Sequence, residues 1–298
     1  MYRPPPPPDH PDHHPPWCGR RRTMRNTRSS CEAEAAFVSG DAMTTSVSAG
    51  KPVTRHFEVR RVPLRQPLEW LDRGWTDLKE IRTAGLAHGA LIAILGAVLL
   101  MLGSTHLYLT AAAVTSYLLV GPVMTTGLCE LARRREAKEP VGFDESLRGL
   151  TRNPDGLVHF GGVLALIAVV WFVLSAVLLQ SVLNAPVPSL AVALWGGAAE
   201  MSAGQLLGYV GCGAILAGMV FAVSVVSVPL IIDRHAGASD AIRASLRATA
   251  ANLPAMLLWA ALIVAMTALG FLTLLVGMVI VAPLLGYATW HAYRDLIG

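Results

Sequence analysis

Few residues in this chain have types and spacings that could do chemistry. His88, His159 and His291 each fall near the edge of an apolar stretch. Two such imidazoles facing each other across a helical bundle could hold haem or a metal ion. One alone is an interfacial histidine bonded to backbone, water or headgroups. Cys129 and Cys212 lie far apart with no C-x-x-C pattern and read as small apolar residues. Asp9, His10, Asp12, His13 and His14 could bind a transition metal, but the same string also reads as a plain Pro/His-rich tail. Phosphate-loop, nucleophile-elbow, H-E-x-x-H and dinucleotide signatures do not occur in the contexts they need. No reaction, cofactor or metal site is therefore predicted, and the three histidines are only weak cofactor candidates.

The elements that must carry these residues are apolar helices. The chain has 298 residues, 53% hydrophobic and 15% charged, with a mean hydropathy of +0.50. Soluble domains carry about 25% charge. Charge-free runs occupy residues 83–129, 156–199, 201–232 and 248–293. About 20 apolar residues cross a bilayer. The first and last runs each fit a hairpin, and the middle two fit one span each. The predicted spans are Leu86–Leu102, Leu107–Leu128, Leu157–Leu179, Leu206–Ile232, Pro254–Leu269 and Phe271–Tyr287, with the last turn at Gly270. No Asp, Glu, Lys or Arg lies within their hydrophobic cores, which argues against ion-coupled transport and an embedded hydrolase.

Basic residues fix the orientation. Fourteen Lys and Arg precede the first span, six lie between spans two and three, three between spans four and five, and one after span six, accounting for all 24. Both termini are thus expected on the cytoplasmic side. Arg133, Arg134 and Arg135 are the densest topology determinant. The net charge of +4 follows from these loops and points to anionic lipid, with no nucleic-acid partner expected.

Residues 1–56 read as a disordered low-complexity tail, with a polyproline run at Pro4–Pro8. Arg20, Arg21 and Arg22 are followed by no apolar segment, so no secretory signal is expected there. Met24 and Met43 are alternative starts. Residues 57–298 form the membrane domain.

Three stretches of that domain repeat one plan: a short amphipathic helix, a break, a span, a turn, and a second span with a proline. The short helices are expected at Pro67–Arg82, Asp144–Arg152 and Ser239–Ala251. Their inward faces are expected to be Leu68, Leu71, Trp75 and Leu78; Leu147 and Leu150; and Ile242, Leu246, Thr249 and Leu253, with Asp77 pointing elsewhere. Asn153-Pro154 and Asn252-Leu253-Pro254 are expected helix starts. Pro122, Pro229 and Pro283 should kink the second spans, setting packing or opening a cavity. Small residues at Gly85, Gly89, Ala93 and Ala97 suggest close helix approach. Trp70, Trp75, Trp171, Trp195, Trp259, Tyr287, Trp290 and Tyr293 read as interfacial anchors.

Several strings are familiar: Val59-Arg60-Arg61-Val62, Gly74-Trp75-Thr76-Asp77-Leu78, Leu119-Val120-Gly121-Pro122, Arg133-Arg134-Arg135-Glu136, Arg152-Asn153-Pro154, and the closing Pro283-Leu284-Leu285-Gly286-Tyr287-Ala288-Thr289-Trp290-His291-Ala292-Tyr293-Arg294-Asp295-Leu296. On these the chain resembles a family of uncharacterised bacterial integral membrane proteins, a domain of unknown function. The resemblance implies a bacterial inner-membrane location and no activity. The fold expected is an all-α, six-span bundle of three hairpin units with cytoplasmic amphipathic helices. The function expected is a non-enzymatic scaffold, assembly or lipid-organising protein, with a membrane-protein partner or a second copy as further partners. The alternatives are a passive channel or small-solute transporter and, third, a haem-binding redox protein.

Overall fold

The structure is a computed structural model that describes residues 56–103, 124–183 and 202–298. The tail, its histidines, Pro122, Thr115, Ser116, Trp195, Glu200 and most of the span predicted at Leu107–Leu128 lie outside the described residues. The described residues are all-helical apart from one isolated bridge, Val59 with Ile297. In chain order the helices are α1 (Gln66–Glu80), α2 (Arg82–Gly103), α3 (124–136), α4 (Phe143–Arg152), α5 (Pro154–Leu183), α6 (Ala203–Ser224), α7 (Ser227–Arg234), α8 (Ala238–Ala251), α9 (Leu253–Leu272) and α10 (Met278–Leu296). Among the described residues four stretches are long and apolar enough to cross a membrane: Arg82–Leu99, Pro154–Trp171, Val210–Arg234 and Leu253–Leu272.

A short helix, one linking residue and a long helix recur three times, as α1–Ile81–α2, α4–Asn153–α5 and α8–Asn252–α9. The outward faces of the long helices are greasy. Ile94, Leu166, Ile215 and Val264 are each more than 60% exposed, a surface suited to lipid.

The inward faces of the short helices match the expected ones only in part: Leu78 is buried and Leu71 and Ile242 pack against the core. Leu68, Trp75, Leu147, Leu246 and Leu253 are exposed. The buried positions are Trp70, Gly74, Asp77 and Leu78 in α1, Ser146 and Gly149 in α4, and Ala241, Ala244, Ser245 and Ala248 in α8. Small residues let these helices lie close on their neighbours. A methyl built on Gly74 would sit 2.9 Å from the Ala288 nitrogen, and one on Gly149 would sit 3.1 Å from the Thr126 carbonyl. Where the outside is lipid, large apolar side chains gain little by turning inward, so packing shape decides the face.

The last turn also shifts. Helix α9 continues through buried Gly270 to Leu272, and residues 273–277 make the turn, with Leu274 and Leu275 at positive φ of 51° and 69°. Thr273 Oγ1 accepts the Gly277 N–H at 2.8 Å and so closes it. The final helix is Met278–Leu296, and its second half is too polar for a span.

The prolines behave differently from one another. The span predicted at Leu206–Ile232 is broken rather than kinked: α6 ends at Ser224, and Pro229 sits in the first turn of buried α7, where its missing N–H costs nothing. Ser245 of α8 reaches into the break, accepting from Val226 N at 3.3 Å and donating to Ala222 O at 2.7 Å. Pro283 lies inside α10 and frees the Val279 carbonyl. Gly89 of α2 packs directly on that carbonyl, so close that no Cβ fits. Gly85 packs likewise against Tyr287, so the two glycines of the predicted small-residue stripe serve contact within the bundle, while Ala97 is exposed.

Candidate functional site

The chemistry-bearing side chains gather at one end of the bundle, where α10 meets α1, α3 and α7. Starting from the closing string, the polar residues from Trp290 to Asp295 reach side chains of three neighbouring helices. Trp290 Nε1 donates to Glu136 Oε2 at 2.9 Å, and Arg294 reaches the same carboxylate at 2.9 Å. His291 Nε2 lies 3.0 Å from Asp77 Oδ2. Tyr293 OH donates to Asp233 Oδ2 at 2.5 Å. Asp295 accepts from Trp70 Nε1 at 2.8 Å and from Gln66 Nε2 at 3.0 Å, and pairs with Arg73. Burial alone would push the Asp295 carboxyl up, but these donors prevail and hold it below the usual carboxylate range. Burial and the neighbouring Asp233 carboxylate push the Tyr293 phenol up, so it stays a donor.

A second layer stands on α3. Glu130 is fully buried, yet accepts from Arg133 Nε and Nη2, each at 2.9 Å, and from Arg134 Nε at 2.8 Å. Arg152 approaches it to 3.8 Å. Its carboxyl feels desolvation first, but the arginines outweigh that and lower its pKa. Arg135 pairs with Asp77 and donates to Glu80 at 2.6 Å. All three arginines read as topology markers are therefore also bound into ion pairs.

Asp77 and Glu130 were missed as organising residues by sequence reasoning. Trp70, Gly74, Asp77 and Leu78 are spaced i, i+4, i+7, i+8, so Asp77 already shares a face with a tryptophan and a glycine. Glu130 ends a charge-free run and has arginines at i+3, i+4 and i+5. His291 has the carboxylate partner that the sequence did not reveal.

The other histidines sit apart in chemistry. His88 is buried and donates from Nδ1 to Ala84 O at 2.9 Å. Its Nε2 faces Ser146 Oγ at 3.3 Å, and a methyl on Gly127 would lie 2.7 Å from it. His159 bonds Asp155 O at 2.7 Å from an exposed position. Cys129 is buried, and Cys212 is half-buried; both are free thiols. Among the described residues no group of three or more His, Cys, Asp or Glu is placed to hold a metal ion.

The two asparagines divide their work. Asn153 Oδ1 accepts the Gly156 N–H at 3.1 Å and caps α5, with Pro154 as its first residue. Its Nδ2 donates to Ile231 O and Ala236 O. Asn252, ahead of Pro254 in α9, turns away from capping: Oδ1 accepts Val62 N at 2.8 Å, and Nδ2 donates to Arg60 O at 3.0 Å. It thereby pins the segment that also bridges Ile297.

The aromatic residues of this end are buried within the protein. Trp70, Trp259, Trp290, Tyr287 and Tyr293 are at most 1% exposed, and Trp70 meets Trp259 edge-on at 5.7 Å. Only α1's Trp75 lies open among the tryptophans named here.

Compared with known proteins, residues 109–233 match the model of a family described as a predicted integral membrane protein (DUF2189). The match spans α3 to α7 and stops short of α10. No curated protein and no solved structure matches the chain.

Proposed function

We propose that this chain is a non-enzymatic scaffold of the bacterial inner membrane that organises lipid or a membrane-protein partner. Six spans in three hairpin units, with both termini cytoplasmic, account best for the four apolar helices, the one-sided Lys and Arg, and the apolar first half of α10. Residues 57–298 act as one membrane domain behind an N-terminal tail. Arg133, Arg134 and Arg135 set its orientation.

One observation carries this reading. The side chains that could do chemistry are occupied by one another: Asp77, Glu130, Glu136, Asp233 and Asp295 each accept from named partners in neighbouring helices or in α3 itself. Of the hydroxyls with which a pathway would be lined, Thr115, Ser116, Thr125, Ser224 and Ser227, the last two donate back to Val220 O and Val223 O. Such an end is built to hold a shape.

The runner-up is a passive channel, favoured by the broken fourth span, since interrupted helices mark many transport sites. Proteoliposomes discriminate the two. A scaffold leaves glycerol and small-ion permeability at the level of empty vesicles, while a channel raises it. Crosslinking and pull-down from native membranes should then return one reproducible protein or lipid class. A Soret band in protein from haem-replete cells, lost in His159→Ala, would revive the redox reading.

A further inference from the structure

The short helices α1, α4 and α8 leave unexplained apolar surface. Leu68 and Trp75, Phe143 and Leu147, and Leu246 are between 37% and 49% exposed, although each helix has a neighbour against which to bury them. Each of these helices is joined by a single residue to a long helix whose own outward face is greasy. These helices of 15, 10 and 14 residues are about 15–23 Å long, and a one-residue link keeps each at the border of the layer that its partner crosses. Exposed cations stand beside α1 and in α4: Arg65 just ahead of α1, Arg82 where α2 begins and Arg148 in α4 have no ion-pair partner among the described residues. Apolar side chains beside unpaired arginines are the pattern of a helix lying in a membrane interface.

We propose that α1, α4 and α8 form a collar seated in an anionic leaflet. In it, Leu68, Trp75, Phe143, Leu147 and Leu246 enter the headgroup–acyl border, and Arg65, Arg82 and Arg148 bind lipid phosphate. The collar rests on the membrane-bundle reading above and names its ligand, anionic phospholipid. It also explains the inverted faces: small residues dock on the bundle because the large ones have lipid to enter.

The test uses the full chain with its native cysteines replaced by alanine and single cysteines at Leu68, Leu147 or Leu246, with Ile94 and Leu166 as span controls. Each is nitroxide-labelled and reconstituted in phosphatidylcholine vesicles with or without phosphatidylglycerol. Oxygen collisions should exceed those with an aqueous nickel chelate at all three collar sites, at shallower depth than at the controls. Labels accessible to nickel at the collar while the controls are deep would overturn the collar and leave the bundle standing. Water-accessible controls would instead remove the bundle reading. Spin–spin broadening at the collar would mean that a second copy covers the face, which also overturns the proposal. In a separate arm, each of Arg65→Ser, Arg82→Ser and Arg148→Ser should weaken phosphatidylglycerol association about fivefold; unchanged association would refute the phosphate contacts.

Discussion

A buried carboxylate needs its partners more than they need it. Asp77 is 1% exposed and held by Arg135 and His291. Asp77→Ala leaves Arg135 facing a vacated pocket, and should cost about 2–4 kcal/mol, at the lower end because Arg135 is partly solvated. Thermal unfolding in detergent measures it; a shift under 1 °C would mean that the pair is decorative. Asp295 gives a pH signature. Its pKa is lowered in the fold, so its contribution is present above the ordinary Asp value of about 3.9 and is lost as pH falls through the lowered value. Arg73→Gln should destabilise by about 1 kcal/mol at pH 7, discounted for the exposure of Arg73. The wild-type and variant curves should converge as pH falls through the lowered Asp295 value. Curves that stay parallel down to acid pH would show that Arg73 acts through something other than this carboxylate. Glu130, held down by its arginines, loses its contribution in the same direction.

Elements in this bundle meet through small residues and freed backbone groups. Gly89→Ala drives a methyl into the Val279 carbonyl, which is backbone and cannot swing aside. The cost should be about 1–3 kcal/mol, read as a lowered melting temperature. Gly162→Ala, where nothing lies within 4 Å, is the matched control and should be neutral or stabilising. Ser245→Ala strips partners from Val226 N and Ala222 O at the break between α6 and α7, costing about 1–3 kcal/mol. Hydrogen exchange should then accelerate at residues 225–230 specifically; uniform acceleration would mean global loosening instead. The amphipathic periods of α1, α4 and α8 located these helices to within two residues and placed Leu71, Leu78 and Ile242 correctly, but misassigned Leu68, Trp75, Leu147 and Leu246. Periodicity counts apolar residues without knowing whether the outside is water or lipid.

At the scale of the whole molecule, α10 is the keystone. It reaches α1 through His291 and Asp295, α3 through Trp290 and Arg294, and α7 through Tyr293. Deleting residues 290–298 should therefore release α1 and α3 together, seen as new protease cleavage near Arg61–Arg65 and Arg133–Arg135 in membranes. Cleavage confined to one of these places would divide the network into independent parts. Reporter fusions after Arg152 and Ala251 should both read cytoplasmic; opposite readings would end the three-unit topology.

The sequence by itself determined what depends on composition along the chain: apolar stretches long enough to cross a bilayer, basic residues segregated between them, and short helices before the spans. These follow from hydropathy and charge, which each segment carries wherever it sits. The tertiary structure alone decided which carboxylate meets which cation, why Gly89 must lack a side chain, and that α7 is a separate buried piece sealed by Ser245. Those are facts about residues distant in the chain meeting within a few ångströms, and no local pattern encodes the partner.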